Sequence, residues 1–172
     1  MGNAPMRFST GWDVVTFTMM GTHAAADRLS AVSWHDPHLA YAAAGETLWW
    51  MTTLDTMLKR FLGASYTASR RAENVIDGQL SGIRYARGRF THAFDILEVV
   101  EPGYSDEQQS FNTPGYWKWS PLSASRRSGV EPGEKEYRGL LAGTYVNSTL
   151  TNVLTFLRAQ ATRSSVHKPK LL

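Results

Sequence analysis

The stretch Gln79 to Val100, QLSGIRYARGRFTHAFDILEVV, constrains the fold more than any other part of the chain. At about 100° per residue, Ile83, Ala86, Phe90, Ala93, Phe94 and Leu97 fall within one apolar arc, the core stripe of an amphipathic helix. Tyr85, His92, Ile96 and Val99 form a second stripe on roughly the opposite side. A surface helix needs only one. Gly88 lies beside the second stripe, and an interior glycine costs a helix about 1 kcal/mol relative to alanine. The pattern predicts a helix with two buried faces, the second meeting another copy of itself. Tyr85, Gly88, Ile96 and Val99 are therefore the predicted homodimer face.

A chain of 172 residues with 42% hydrophobic and 12% aromatic content has enough apolar material for one core. The expectation is a single domain over 1–172, with disordered tails at 1–10 and 164–172. The absence of cysteine excludes disulfide scaffolds, thiolate metal sites and a cysteine nucleophile. The first residues carry no basic start followed by an apolar run, and no 18-residue apolar stretch occurs. MGNAPM has Met where a myristoylation site wants Ser or Thr. A soluble cytoplasmic protein without membrane attachment is expected. The net charge is +3, with basic clusters at Arg70-Arg71, Arg84/Arg87/Arg89, Arg126-Arg127 and His167 to Lys170. Clustered positive charge can hold a polyanion.

Along the chain, Trp12 to about Ser33 reads as helix, although VVTFT, β-branched and alternating, also suits a strand. Asp36-Pro37 is a helix start, with Asp as cap and Pro in the first turn. That helix is expected to stop at Gly63, with Leu39, Ala43, Trp50, Thr53, Leu54, Met57 and Phe61 on its core stripe. Glu46 falls on the same stripe. There a carboxylate needs a partner, and pairing with Arg84 or Arg87 stands beside the alternative of a solvated edge position. Asp55 reads as a polar-face residue paired with Lys59 at i+4. Tyr66 to Asp77 reads as a surface loop. After Val100, Phe111 and Tyr116 to Trp119 read as short extended segments around the Asn112-Thr113-Pro114-Gly115 turn. Trp117 and Trp119 share a face, either as a hairpin laid over a helical core or as a base-stacking platform with Lys118. Two helices close the chain: Glu134 to Leu141 with Tyr137, Leu140 and Leu141 inward, then Val146 to Arg163 after a stop at Gly143. The fold class is all-α, a four- to five-helix bundle with a small extended insertion before the last two helices.

There is no phosphate-binding glycine loop, nucleophile elbow or zinc-helix motif. His35 and His38 lack a third ligand, so no metal or cofactor is expected. RGRFTH does place Arg87 five positions before His92, with Arg84 and Arg89 beside them. GIRYARGRFTHAF resembles the motif helix of the HEPN superfamily, whose ribonucleases carry Arg-x-x-x-x-His on a helical bundle. LWWMTTLDTMLKRFLGA resembles the helix before it, so the resemblance spans roughly Pro37 to Val100. It departs at Gly88, where the family has a polar residue, often Asn. The resemblance implies a metal-independent endoribonuclease of toxin or phage-defence type, acting as a homodimer on RNA, with a cognate antitoxin or defence partner. His92 would be general acid or base, Arg87 the phosphate stabiliser, Arg84 and Arg89 holders of neighbouring phosphates, and Glu46 an orienting carboxylate. The other reading is a non-catalytic helical module that binds a protein or nucleic acid.

Overall fold

The structure, a computed structural model, describes residues 11–90, 95–101, 103–105, 110–113, 115–122 and 131–165. The expected tails lie outside them, except that Ser164 and Ser165 belong to the last helix. The fold is mostly helical, as expected, but its centre is the helix of Pro37–Ala72, here α2. Three others pack on it: α1 (Gly11–Ala31), α3 (Asn74–Phe90) and α5 (Val146–Ser165). α2 begins as the sequence dictates, with the Asp36 side chain accepting from the Leu39 N–H at 3.1 Å and Pro37 in the first turn. At Gly63 the backbone takes φ 56° and ψ −124°, a combination open to glycine and strained for any other residue. The first run of helix ends there, as expected, but a second helical arm begins at once. This arm runs on to Ala72, so residues 66 to 72, expected as loop, are helical.

The core face of α2 keeps Ala43 and Leu54 of the expected stripe, both buried, but is turned away from the rest of it. Ala40, Ala44, Thr47, Leu48, Met51, Asp55 and Leu58 are buried, whereas Leu39 and Phe61 are exposed and Trp50 and Met57 only half-buried. Small side chains sit inside because α2 is enclosed by three helices, and alanine and threonine let their backbones approach. The threonines satisfy their hydroxyls on the preceding turn, as Thr47 does on the Ala43 carbonyl at 2.8 Å.

The expected helix to Val100 is overturned. α3 ends at Phe90, and Leu97–Val100 is a strand, β1, antiparallel to β4 (Tyr116–Trp119). Val99 and Val100 favour extended backbone, and Pro102 cannot continue a helix. A second ladder joins β2 (Gly103–Ser105) to β3 (Ser110–Thr113). Leu97 pairs with Trp119 and Gly103 with Thr113, the same register, so the two ladders form one interrupted hairpin. The break falls where the sequence has Pro102 in one arm and Pro114 in the other, residues with no N–H to donate. The turn expected at residues 112 to 115 therefore joins strands that do not pair with each other.

Trp117 and Trp119 are buried, and the Trp119 indole N–H donates to Thr149 Oγ1 at 3.2 Å. The hairpin lies over the core, and the stacking-platform reading is overturned. The other side of β4 is also occupied: the Trp119 N–H donates to the Thr144 carbonyl at 3.0 Å, and the Gly143 N–H to the Trp119 carbonyl at 2.7 Å. A further antiparallel bridge links Lys118 to Tyr145.

Glu134–Glu136, α4, runs into a π-helical turn, Tyr137–Leu141, which packs on α3. Gly82 allows that approach, since a Cβ there would stand 3.1 Å from the Tyr137 backbone. α5 follows, with Val146, Leu150, Val153, Leu154, Leu157 and Ala161 all buried as their spacing predicts.

Candidate functional site

The bend at Gly63 folds the second arm of α2 back so that Tyr66 and Arg70 face Asp55 on the first arm. Asp55 is fully buried, 0% exposed. A buried carboxylate costs several kcal/mol unless charge and hydrogen bonds meet it. Here Tyr66 donates its phenol to Oδ1, Arg70 Nη1 reaches both oxygens at 3.0 and 3.2 Å, and Arg84 Nε donates to Oδ2 at 3.1 Å. Arg70 also donates through Nε to Asp77 Oδ1 at 2.7 Å. Burial, and then the Asp55 carboxylate, push the Tyr66 phenol well above its ordinary value. Burial works against the Arg70 charge, but Asp55 and Asp77 outweigh it and hold the guanidinium above its usual range. Asp55 is thus the joint between α2 and α3.

One turn along α3, Arg87 Nη1 donates to Thr52 Oγ1 at 3.1 Å. The Thr52 hydroxyl gives its own proton to the Leu48 carbonyl at 2.8 Å, which leaves a lone pair for Arg87. Arg84 and Arg87, three apart on one helix, therefore lie side by side on the flank of α2, both exposed. They differ in charge state of the site. Arg84 is neutralised by Asp55, whereas Arg87 makes no ion pair among the described residues. Arg89 turns away to pair with Asp95.

His92 lies outside the described residues, as do Ala93 and Phe94. Glu46 is a correction. It pairs with Arg28 of α1, and both side chains are near half exposed, so it orients no arginine of α3. The edge position that stood as its alternative is the one it takes, because the true core face of α2 is turned away from it. Asp55 fills the role instead, not the surface pair with Lys59. The signal for it was legible: a carboxylate with Met51 at i−4 and Leu58 at i+3 interrupts an apolar face.

The predicted dimer face is also corrected. Tyr85 is buried against Tyr137, with ring centroids 5.5 Å apart, and Ile96 is buried beside β1. Their partners are within the chain and their elements differ, so no helical stripe joins them. Val99 remains exposed, and a Cβ at Gly88 would meet nothing within 4 Å.

Phe90 and Tyr41 stack with centroids 5.4 Å apart, and with Pro37, His38 and Ala42 they line an apolar hollow. Burial, the largest influence, raises the Tyr41 phenol. His35 rests on the Trp34 ring. Among the described residues no group of three His, Cys, Asp or Glu could hold a metal ion, and no helix is long and apolar enough to cross a membrane.

No family model matches the chain, and neither a curated protein nor a solved structure matches it.

Proposed function

We propose that this chain is a HEPN-like endoribonuclease that binds RNA across the α2–α3 flank and cuts it without a metal. The observation that carries the reading is Arg87. It is exposed, steered by the uncharged Thr52 hydroxyl, and without a carboxylate among the described residues, while Arg84 and Arg89 on the same helix are both ion-paired. A guanidinium oriented but not neutralised keeps its donor fork for a phosphodiester oxygen. Arg84, half exposed over its pair with Asp55, extends the positive strip toward a neighbouring phosphate. Arg89, tied to Asp95, supports the helix end and not a phosphate.

In this reading His92 moves the proton of the 2′-hydroxyl or of the leaving 5′-oxygen, and Arg87 stabilises the charge that builds on the phosphorus centre. The protein acts in the cytoplasm as a toxin or defence factor, with an antitoxin or defence partner. The dimer that the resemblance implies needs a surface other than Tyr85 and Ile96.

A second reading, a non-catalytic RNA-binding module, draws on Gly88 at the motif position where the family has a polar residue. Purified protein incubated with single-stranded RNA in EDTA separates the two. The ribonuclease gives products ending in 2′,3′-cyclic phosphate, leaves DNA intact, and loses cleavage by about 10²-fold or more in His92→Ala and Arg87→Ala. Binding without cleavage, weakened in Arg87→Ala and unchanged in His92→Ala, selects the binding module. Wild type that neither binds nor cuts RNA overturns both.

A further inference from the structure

The elbow of α2 encloses a second basic site, behind the Asp55 joint from Arg87. A cavity of about 180 Å³ lies between the two arms, lined by Lys59 from the first arm, Tyr66, Thr67, Arg70 and Arg71 from the second, and Asp77 of α3. Three cations face it against a single carboxylate. Beneath, Asp55 is already balanced by Arg84. The cavity therefore holds two positive charges in excess, and Lys59 and Arg71 form no ion pair among the described residues.

Arg70 is the fixed wall. Its side chain is only 14% exposed. Of its five N–H donors, Nε and one from Nη2 go to Asp77 and Nη1 reaches both Asp55 oxygens, which leaves at least the second Nη2 hydrogen to donate. Its position is held before any ligand arrives, which removes the ordering cost that weakens binding by mobile arginines. Lys59 and Arg71, both exposed, complete the lining. A buried, clamped guanidinium below two unpaired cations excludes a cationic ligand. A singly charged carboxylate would leave one charge unmatched.

We infer that this elbow binds a dianionic phosphate group. Its three terminal oxygens can accept from the Arg70 Nη2 hydrogen and from Lys59 and Arg71, and its two charges match the excess. A free phosphate and the 5′-phosphate of an RNA offer the same chemistry. The inference does not depend on RNA cleavage: a wild type that cuts nothing yet binds phosphate here satisfies it.

The test is a thermal-shift and calorimetric titration of the full chain with inorganic phosphate, at ionic strength held constant with chloride. The expected result is saturable binding and a rising melting temperature. The double variant K59Q/R71Q should bind at least about tenfold more weakly. Both side chains are exposed, so the variant keeps the fold, which its unliganded melting temperature checks. Parallel titrations with a short RNA carrying a 5′-phosphate or a 5′-hydroxyl identify the source: preference for the phosphorylated end, lost in K59Q/R71Q, assigns RNA ends, and its absence assigns free phosphate. No saturable response to phosphate, or an equal response in K59Q/R71Q, overturns the inference.

Discussion

Replacing Asp55 with alanine should be the most destabilising single change on the α2–α3 flank. The substitution strips the buried acceptor from three donors. Tyr66 is left with a buried hydroxyl lacking its partner, which costs about 1–3 kcal/mol. Arg70, at 14% exposure, loses both hydrogen bonds from Nη1 but retains Asp77, so the cost of an uncompensated buried charge, about 3–5 kcal/mol, is an upper bound for its share. Arg84, 42% exposed, can rehydrate, so its share is screened to about 1 kcal/mol or less. These terms overlap, since all concern one carboxylate, and about 3–5 kcal/mol is the expected total. At about 2–4 °C per kcal/mol for a chain of this size, the melting temperature should fall by about 6–20 °C. Urea unfolding followed by tryptophan fluorescence gives the free energy directly, provided the slope with denaturant is unchanged. Glu46→Ala is the internal control. Its pair with Arg28 is exposed and should be worth about 1 kcal/mol at most. A loss below about 1 kcal/mol for Asp55→Ala, or equal losses for the two variants, would refute the assignment of Asp55 as the joint.

Two further outcomes follow from local geometry. Gly88→Ala should stabilise by up to about 1 kcal/mol, because its Cβ meets nothing within 4 Å, whereas Gly82→Ala on the same helix should destabilise, its Cβ standing 2.9 Å from Leu141 Cδ1 and 3.1 Å from the Tyr137 backbone. Denaturant midpoints of the two variants measure this, and equal signs would contradict the packing of the π-helical turn. The Tyr66 phenol is raised by burial and by Asp55, so above pH 10 the unfolded chain loses that proton while the folded chain keeps it, and stability falls as pH rises. From pH 10 to 11 the Tyr66 contribution to that loss is about 1 kcal/mol, so Tyr66→Phe should show a shallower alkaline decline. Tyr137, raised chiefly by burial, keeps part of the slope in that variant.

The helical class, the Asp36 cap and the periodicity of α5 could be read from the chain because each rests on neighbours three or four residues apart. The core face of α2 could not. Leu39, Trp50, Met57 and Phe61 are large and apolar, and that drew the expected stripe toward them. In an enclosed central helix the inward positions go to Ala40, Ala44 and Thr47, since close approach of backbones wins over side-chain volume. The same displacement hid Asp55 and promoted Glu46. The Gly63 bend was legible as a break but not as an elbow, because whether a helix resumes depends on what the second arm packs against. β1 was misread for a related reason: Ile96, Leu97 and Val99 suit either period, and the partner strand that decides lies about twenty residues further on.

The contacts that close the outer side of β4 bear on how the protein fails. A short sheet normally leaves an open edge on which another molecule can add a strand. Here the residues leading into α5 occupy that edge through Thr144 and Gly143, and Val146 of the first turn is fully buried behind them. The safeguard is therefore borrowed from a helix terminus. Variants that loosen the start of α5 should expose the Trp119 backbone and its ring together, and self-association should then appear before helix content is lost.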